Sequence, residues 1–86
     1  MYYVYVLKSE KDGKLYIGQT SSVEDRIRRH NSGVVIATRS RRPLKLISFR
    51  GFGTRAEAVR MEKFLKSLKG GNGFKKILNH WGVAKW

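Results

Sequence analysis

The side chains of this chain that could do chemistry are two phenols, a guanidinium, an imidazole and a carboxylate. They belong to Tyr5, Tyr16, Arg26, His30 and Glu62, which are widely separated along the sequence. An arginine can hold and neutralise a phosphate, and a carboxylate can ligate a hard cation. Phenols and imidazoles can take part in proton transfer. If the fold brings these groups together, they are suited to reactions of phosphate esters.

Glu62 is the one acid whose position local structure does not explain. The other five of the six acids lie in a predicted hairpin loop (Glu10 and Asp12) or in the first turns of predicted helices, where the helix dipole favours them (Glu24, Asp25 and Glu57). Glu62 instead lies at the border of an apolar helical stripe. Either it forms an ordinary i,i+4 pair with Lys66, or it is a metal ligand held over a sheet face.

Arg26 and His30 are predicted to share the inward face of a helix. Ser21 or Ser22 can cap a helix over residues 22–31, and Gly33 can end it. A guanidinium on the inward face, beside Val23 and Ile27, needs an anionic partner. Two roles for His30 remain open, a functional one and that of a helix C-terminal histidine stabilised by the dipole.

The element that must position these groups is a hairpin formed by residues 2–7 and 15–18, with Asp12-Gly13 at the turn. An even loop length places one set of side chains on one face, namely Tyr3, Tyr5, Leu7, Tyr16 and Gly18. We call this face the tyrosine face. The opposite, aliphatic face carries Val4, Val6, Leu15 and Ile17, which we expect in the core. Gly18 is expected to leave room for a ligand, although strand tyrosines often only pack with their hydroxyls at an edge.

The rest of the chain predicts a small α/β domain of the α+β type, with a three-stranded antiparallel sheet flanked by helices. Residues 33–43 read as an irregular basic loop, whose Arg39, Arg41 and Arg42 are expected to contact nucleic-acid backbone. Residues 44–49 predict the third strand. A capping box from Thr54 to Glu57 opens a helix over 54–69 that Gly70-Gly71 would end. A last helix over 73–81 should close the core, with 83–86 as a tail that is either frayed or docked. Asn72 and Asn79 could each be structural or belong to the site.

The composition favours nucleic acid as the partner. Nineteen Lys and Arg against six Asp and Glu give a net charge of +13, and such an excess attracts a polyanion. We expect a single domain over residues 1–86, monomeric by default and without a small-molecule cofactor. The absence of cysteine excludes thiolate chemistry and disulfides. No targeting or membrane-spanning segment is visible, and the chain is expected to be cytoplasmic.

These residues together resemble the GIY-YIG nuclease domain, particularly small stand-alone members similar to the catalytic module of the nucleotide-excision repair endonuclease. The resemblance runs from Tyr3 to about Leu78. The first motif is here Tyr3-Val4-Tyr5, which departs at two of three positions, and the second, Tyr16-Ile17-Gly18, is intact. Arg26 follows that glycine by eight residues, His30 follows Arg26 by four, and the helical glutamate is Glu62.

The resemblance implies metal-dependent endonucleolytic hydrolysis of nucleic acid, with DNA favoured over RNA, around one Mg²⁺ or Mn²⁺ ion, and a setting in DNA repair. Glu62 would hold the metal and Arg26 the scissile phosphate. Tyr5 would help to deprotonate the attacking water, Tyr16 would orient phosphate or water, and His30 would assist by hydrogen bonding. Cationic surroundings and an adjacent metal ion are expected to favour the phenolate of Tyr5.

Two alternatives remain. One is a basic nucleic-acid-binding module on the same scaffold with little or no turnover. The other is a non-enzymatic basic protein of the translation apparatus.

Overall fold

A computed structural model describes residues 1–68 and 71–81. It contains a three-stranded antiparallel sheet with helices, as the sequence predicts. The elements in chain order are β1 (Tyr2–Ser9), β2 (Leu15–Thr20), α1 (Val23–Ser32), a 3₁₀ helix (Ile36–Arg41), β3 (Leu44–Phe52), α2 (Arg55–Ser67) and α3 (Asn72–Trp81).

The sheet has the strand order β2-β1-β3, so that β1 is central and both of its neighbours are antiparallel to it. In the hairpin, Tyr5 lies opposite Gly18 and Leu7 lies opposite Tyr16. Residues opposite each other point to the same side of a sheet. The predicted tyrosine face is therefore confirmed.

The two faces of the sheet carry separate cores. On the aliphatic face, Val4 and Val6 are buried beneath α2 and α3, with Ala58, Leu65 and Phe74. On the tyrosine face, Tyr5 and Leu7 are buried with Leu44 and Leu46, and Val23 and Ile27 of α1 pack against them. The predicted inward face of α1 is thus confirmed. Leu15 was wrongly expected in the core, because it begins the outer strand and stays 36% exposed.

The helix ends mostly follow the predicted signals. Gly33 ends α1 with a left-handed backbone, at a φ of 88° that favours glycine. The Thr54 side chain accepts a hydrogen bond from the Glu57 N–H at 3.2 Å and caps α2. Ser22 occupies the N-cap of α1 but makes no side-chain capping bond. The glycine stop predicted for α2 falls partly outside the described residues, and the predicted tail lies entirely outside them.

Two segments differ most from expectation. The third strand continues to Phe52, because pairing with β1 extends to Tyr2. The supposed irregular loop contains a 3₁₀ helix, and one of its residues, Thr38, is fully buried. The final helix packs its apolar residues, including Phe74 and Trp81, into the aliphatic core as predicted. In the described part of the chain, no helix has the length and apolarity that crossing a membrane requires.

Candidate active site

The Tyr5 hydroxyl is the centre of a hydrogen-bonded cluster on the tyrosine face. Tyr5 comes from β1, and its partners Arg26 and His30 come from the inward face of α1. Arg26 Nε donates to the Tyr5 hydroxyl at 3.3 Å, and His30 Nε2 lies 3.0 Å from the same oxygen. On its other side, His30 Nδ1 lies 2.7 Å from Thr38 Oγ1. Tyr5, His30 and Thr38 are each 0% exposed.

These contacts assign the tautomer of His30. A guanidinium can only donate, so the buried Tyr5 hydrogen must find its acceptor elsewhere, and His30 Nε2 is the acceptor within reach. Nε2 therefore carries no hydrogen. The hydrogen of the neutral ring is on Nδ1, which donates to Thr38 Oγ1. The hydrogen bonds therefore all run in one direction: Arg26 donates to Tyr5, Tyr5 donates to His30, and His30 donates to Thr38.

The His30 ring is neutral at physiological pH. Burial, and then the positive charge of Arg26, lower the pKa of His30 to about 4. The hypothesis of a histidine cation stabilised by the helix dipole is therefore wrong, because burial next to a guanidinium disfavours a second positive charge.

The Tyr5 phenol is protonated. Its pKa is raised, mainly by burial, and the hydrogen bond from Arg26 only partly opposes that effect. Cationic surroundings alone therefore do not favour the phenolate, and the contribution expected from an adjacent metal ion stays a prediction. A buried site lacks the solvation that a phenolate requires.

The position of the Tyr5 ring explains why residue 18 is a glycine. A Cβ atom placed on Gly18 would lie 2.5 Å from the Tyr5 hydroxyl and 2.7 Å from Cζ of its ring. The space that the sequence suggested for a ligand is thus filled by Tyr5, and Gly18 is itself buried. The absence of a side chain lets the phenol lie across β2.

Tyr16 is the more accessible of the two phenols. It is half-buried, and its ring meets that of His30 edge to face with centroids 4.8 Å apart. Arg26 interacts with both phenols, and the hydrogen bond to Tyr5 is the main cause of the raised pKa of Arg26. The guanidinium is thus held between two hydroxyl groups while remaining partly exposed.

Glu62 lies on α2 and interacts with this cluster only electrostatically. Its side chain is 19% exposed, and it is close enough to raise the pKa of Tyr5. Its Oε2 also accepts a hydrogen bond from Lys66 Nζ at 2.7 Å. Glu62 therefore forms the expected i,i+4 pair and still lies within electrostatic range of the phenol.

Glu62 is the one residue here suited to hold a divalent metal ion. Within residues 1–68 and 71–81, no three His, Cys, Asp or Glu side chains converge as a metal cage would require. Mg²⁺ commonly binds through one or two carboxylates, with water and substrate phosphate completing its shell. The Glu62 carboxylate, with its side chain 19% exposed, fits that kind of site.

The three arginines expected to contact nucleic acid do not share one surface. Arg39 Nε donates to the Gly33 carbonyl and Arg42 Nε donates to the Arg39 carbonyl, at 2.8 and 2.9 Å, so both are held near the end of α1. Arg41 extends towards the hairpin instead, where its Nε lies 3.6 Å from Asp12 Oδ2. Asn72 and Asn79 are exposed on α3, which packs on the aliphatic face, away from the tyrosine cluster.

Thr38 is the site residue that the sequence did not reveal. It lies between aliphatic residues and arginines with no periodicity to mark it as buried. Its partner His30 is eight residues away, and the intervening turn could not be predicted. Asn31 was also missed: its amide nitrogen donates to the Leu44 carbonyl and its amide oxygen accepts from the Leu44 N–H. Asn31 thereby ties the end of α1 to the start of β3.

Comparison with known proteins relates the chain to a nuclease domain. The family model described as the GIY-YIG catalytic domain matches residues 1–75. A UPF0213 protein of Clostridium perfringens is 45% identical over 69 residues, 79% of this chain and 73% of that protein. A UPF0213 protein of Streptococcus pneumoniae is 44% identical over 68 residues, 78% of this chain and 68% of that protein. The solution NMR structure of a UPF0213 protein from Bacillus halodurans is 36% identical, with a TM-score of 0.47, and the match covers 88% of this chain and 94% of that one.

Proposed function

The chain belongs to the GIY-YIG catalytic domain family, and on that premise we propose that it is a metal-dependent endonuclease that hydrolyses phosphodiester bonds, with DNA favoured over RNA. The proposed cofactor is one Mg²⁺ or Mn²⁺ ion, and the proposed setting is cytoplasmic DNA repair. The observation that carries the proposal is the convergence of Arg26 and His30 on the Tyr5 hydroxyl, with Glu62 within electrostatic range of that phenol.

Arg26 would bind the scissile phosphate. Its Nε donates to Tyr5 and it also interacts with Tyr16, and the remaining N–H groups of the partly exposed guanidinium can donate to phosphate oxygens. The two phenols fix the orientation of the guanidinium before substrate arrives. Such preorganised positive charge stabilises the charge that develops on phosphorus oxygens in the transition state.

Tyr5 and His30 would together remove the proton from the attacking water. The water oxygen forms a bond to phosphorus while its proton passes to the Tyr5 oxygen, and the Tyr5 proton passes to His30 Nε2. The bond from phosphorus to the leaving ester oxygen breaks. Phosphate binding at Arg26 would come first, and Tyr5, which is fully buried in the free protein, would have to become accessible to water before it acts.

This order of events also improves the base. The charge of Arg26 is one of the two causes that lower the pKa of His30. A phosphate bound to Arg26 offsets that charge, so His30 accepts a proton more readily with substrate present. Tyr16, as the more accessible phenol, would orient the phosphate or the water.

Glu62 would hold the metal ion. When bound there, a divalent cation supplies Lewis-acid stabilisation of the phosphate and the leaving oxygen. In the free protein, Lys66 donates a hydrogen bond to Glu62. This hydrogen bond would break when the metal ion binds to that carboxylate oxygen. Gly18 would contribute by leaving space for the Tyr5 ring, and it would not contact nucleic acid. Arg39 and Arg42 would contact backbone phosphates farther from the scissile bond.

The second candidate is a nucleic-acid-binding module with little turnover. It is favoured by the full burial and raised pKa of Tyr5, which make the free-state phenol a poor base. Its affinity would come from the net charge of +13.

The test is nicking of supercoiled plasmid and of a branched DNA duplex with Mg²⁺ or Mn²⁺. We expect the wild-type protein to nick, and Glu62→Gln to abolish nicking while binding at low salt is retained. Equal behaviour of the two proteins on every substrate would establish the binding module instead.

A matched set of arginine variants tests the phosphate role separately. Arg26→Ala should lower the cleavage rate by about 10²-fold or more, the usual loss when one preorganised donor is removed. Arg28→Ala and Arg29→Ala remove the same charge from the exposed side of α1 and should change the rate little. Equal losses from all three would show that general charge, and not the inward guanidinium, governs cleavage.

A further inference from the structure

An open groove of about 500 Å³ runs along the outer edge of β2, directly beside the candidate active site. Tyr16 belongs to both. We call it the β2 groove and define it by its lining residues, Lys14, Leu15, Tyr16, Ile17, Arg41, Leu65, Lys66 and Phe74. Its size is within the range of about 300–1,000 Å³ that small-molecule sites occupy.

We infer that the β2 groove binds the nucleotide unit next to the scissile phosphate, with its backbone phosphate held by Lys14, Arg41 and Lys66. The inference rests on the proposed function, which places the scissile phosphate at Arg26. It adds a second phosphate position, on a strand that runs along the free edge of β2.

The charge of the groove comes from three separate elements. Lys14 precedes β2 and is exposed, Arg41 ends the 3₁₀ helix, and Lys66 lies on α2 with its side chain 55% exposed. Cations drawn from the hairpin, the 3₁₀ helix and α2 surround one cleft, which differs from the solvated charges along a single helix face. A phosphate group offers several acceptor oxygens to such a set.

Arg41 is only loosely satisfied by the protein. Its buried Nε has no hydrogen-bond partner in the described residues, because Asp12 Oδ2 at 3.6 Å is near enough to attract it but too far to bond. Its Nη2 reaches the Leu15 carbonyl at 3.5 Å, the limit for such a contact. Asp12 thus aims the guanidinium at the edge of β2 and offsets part of its charge, while donors remain for a ligand.

The other walls of the groove suit the sugar and base of a nucleotide. Leu15 is 36% exposed at the groove, an unusual position for a leucine that the sequence predicted in the core. The partly exposed Ile17 continues this apolar lining, and the buried Leu65 and Phe74 lie at its floor. A surface that joins cations to apolar side chains matches the mixed character of a nucleotide better than that of a bare anion.

Lys66 connects the groove to the candidate metal ligand. Its Nζ donates to Glu62 at 2.7 Å, and Lys66 also lines the groove. A strand whose scissile phosphate lies between Arg26 and Glu62 would therefore pass Lys66 as it leaves the site along β2.

The experiment measures binding without catalysis. Fluorescence anisotropy of a labelled branched DNA duplex is recorded in EDTA, from 50 to 300 mM NaCl, for wild type, Lys14→Gln and Lys45→Gln. Lys45 is the matched control, because it is an exposed lysine on β3, the outer strand at the opposite edge of the sheet.

We expect Lys14→Gln to weaken binding several-fold and to reduce the slope of log K against log salt by about 0.9, the value for one lost phosphate contact on duplex DNA. Lys45→Gln should keep the wild-type slope. Arg41→Gln should resemble Lys14→Gln, but it also removes contacts to the hairpin, so Lys14→Gln decides the question.

If Lys14→Gln and Lys45→Gln have the same affinity and slope, the groove is not a phosphate site. That result would leave the nuclease proposal intact, because nicking by wild type and not by Glu62→Gln is measured separately. The converse result is that Lys14→Gln weakens binding as expected while wild type nicks no substrate. That result would support the binding module, and the β2 groove would stand as a phosphate-binding site of that module.

Discussion

At the scale of the residue, the Tyr5 hydroxyl gives its neighbours their roles. Arg26 donates to it, His30 accepts from it, and Gly18 makes room for it. None of these roles can be exchanged, because a guanidinium only donates and the hydroxyl has a single hydrogen. The site is thus organised by hydrogen-bond direction as well as by charge.

The packing of Tyr5 over Gly18 predicts a cost for adding one methyl group. Gly18→Ala would place its Cβ atom 2.5 Å from the Tyr5 hydroxyl, so the phenol or β2 must shift. We expect a loss of about 1–3 kcal/mol in the free energy of unfolding, the usual range for overpacking. Urea unfolding followed by circular dichroism measures it.

Gly53→Ala is the control, since the nearest atom to its added Cβ atom would be 3.9 Å away. It should change the free energy of unfolding by less than about 0.5 kcal/mol. Removing the clashing hydroxyl with Tyr5→Phe should partly restore the Gly18→Ala protein. If Gly18→Ala is as stable as Gly53→Ala, the close packing of phenol and strand is refuted.

The lowered pKa of His30 predicts a pH dependence of stability. The pKa is 6.5 for an unperturbed histidine and about 4 in the folded protein, so the unfolded chain binds more protons between those values. Stability therefore falls as the pH decreases through this window. From pH 7 to pH 4.5 the contribution of His30 should decrease by about 2.5 kcal/mol, at 1.36 kcal/mol per pKa unit.

The carboxylates also titrate in this range, so the measurement compares wild type with His30→Gln by urea unfolding at both pH values. The wild type should lose about 2.5 kcal/mol more than the variant. Equal losses would mean that His30 has an ordinary pKa in the folded protein.

At the scale of the element, the site forms where β2 meets two helices that lie on opposite faces of the sheet. The first helix, α1, covers the tyrosine face with Val23 and Ile27. The second, α2, covers the aliphatic face with Ala58 and Leu65. Because β2 is an outer strand, groups from both helices can reach past its edge. This arrangement explains how Glu62, on α2, lies within electrostatic range of Tyr5 on the other face.

The two helices differ in how they begin, and that difference can be measured. Thr54 caps α2 through a hydrogen bond to the Glu57 N–H, whereas Ser22 makes no such bond at α1. Thr54→Ala should therefore cost about 1 kcal/mol in the free energy of unfolding, and Ser22→Ala only a few tenths. Thermal or urea unfolding of both variants provides the comparison, and a larger loss for Ser22→Ala would contradict the assigned caps.

At the scale of the whole molecule, positive charge is concentrated on distinct surfaces. The β2 groove carries Lys14, Arg41 and Lys66. A second basic hollow is lined by Lys11, Arg39 and Arg42. Arg28 and Arg29 lie elsewhere, on the exposed side of α1. The positive charges that make up the net charge of +13 therefore lie on separate surfaces. The salt dependence of binding should be measured with variants of one surface at a time.

The sequence by itself determined the elements and the faces that they present. Alternation along Tyr2–Ser9, the αL glycine at Gly33 and the cap at Thr54 are local signals, since each depends on backbone geometry over a few residues. The same signals placed Arg26 and His30 on the inward side of α1. They also brought the tyrosines to one face of the sheet.

Only the tertiary structure decided how those residues behave. Whether Gly18 makes room for a ligand or for Tyr5, whether His30 is charged, and whether Leu15 is in the core or in a groove all depend on distant parts of the chain. Burial and hydrogen-bond partners set the pKa values of Tyr5 and His30, and both are properties of packing. Thr38 shows the limit most clearly, because nothing in its neighbours along the sequence indicates that it binds His30.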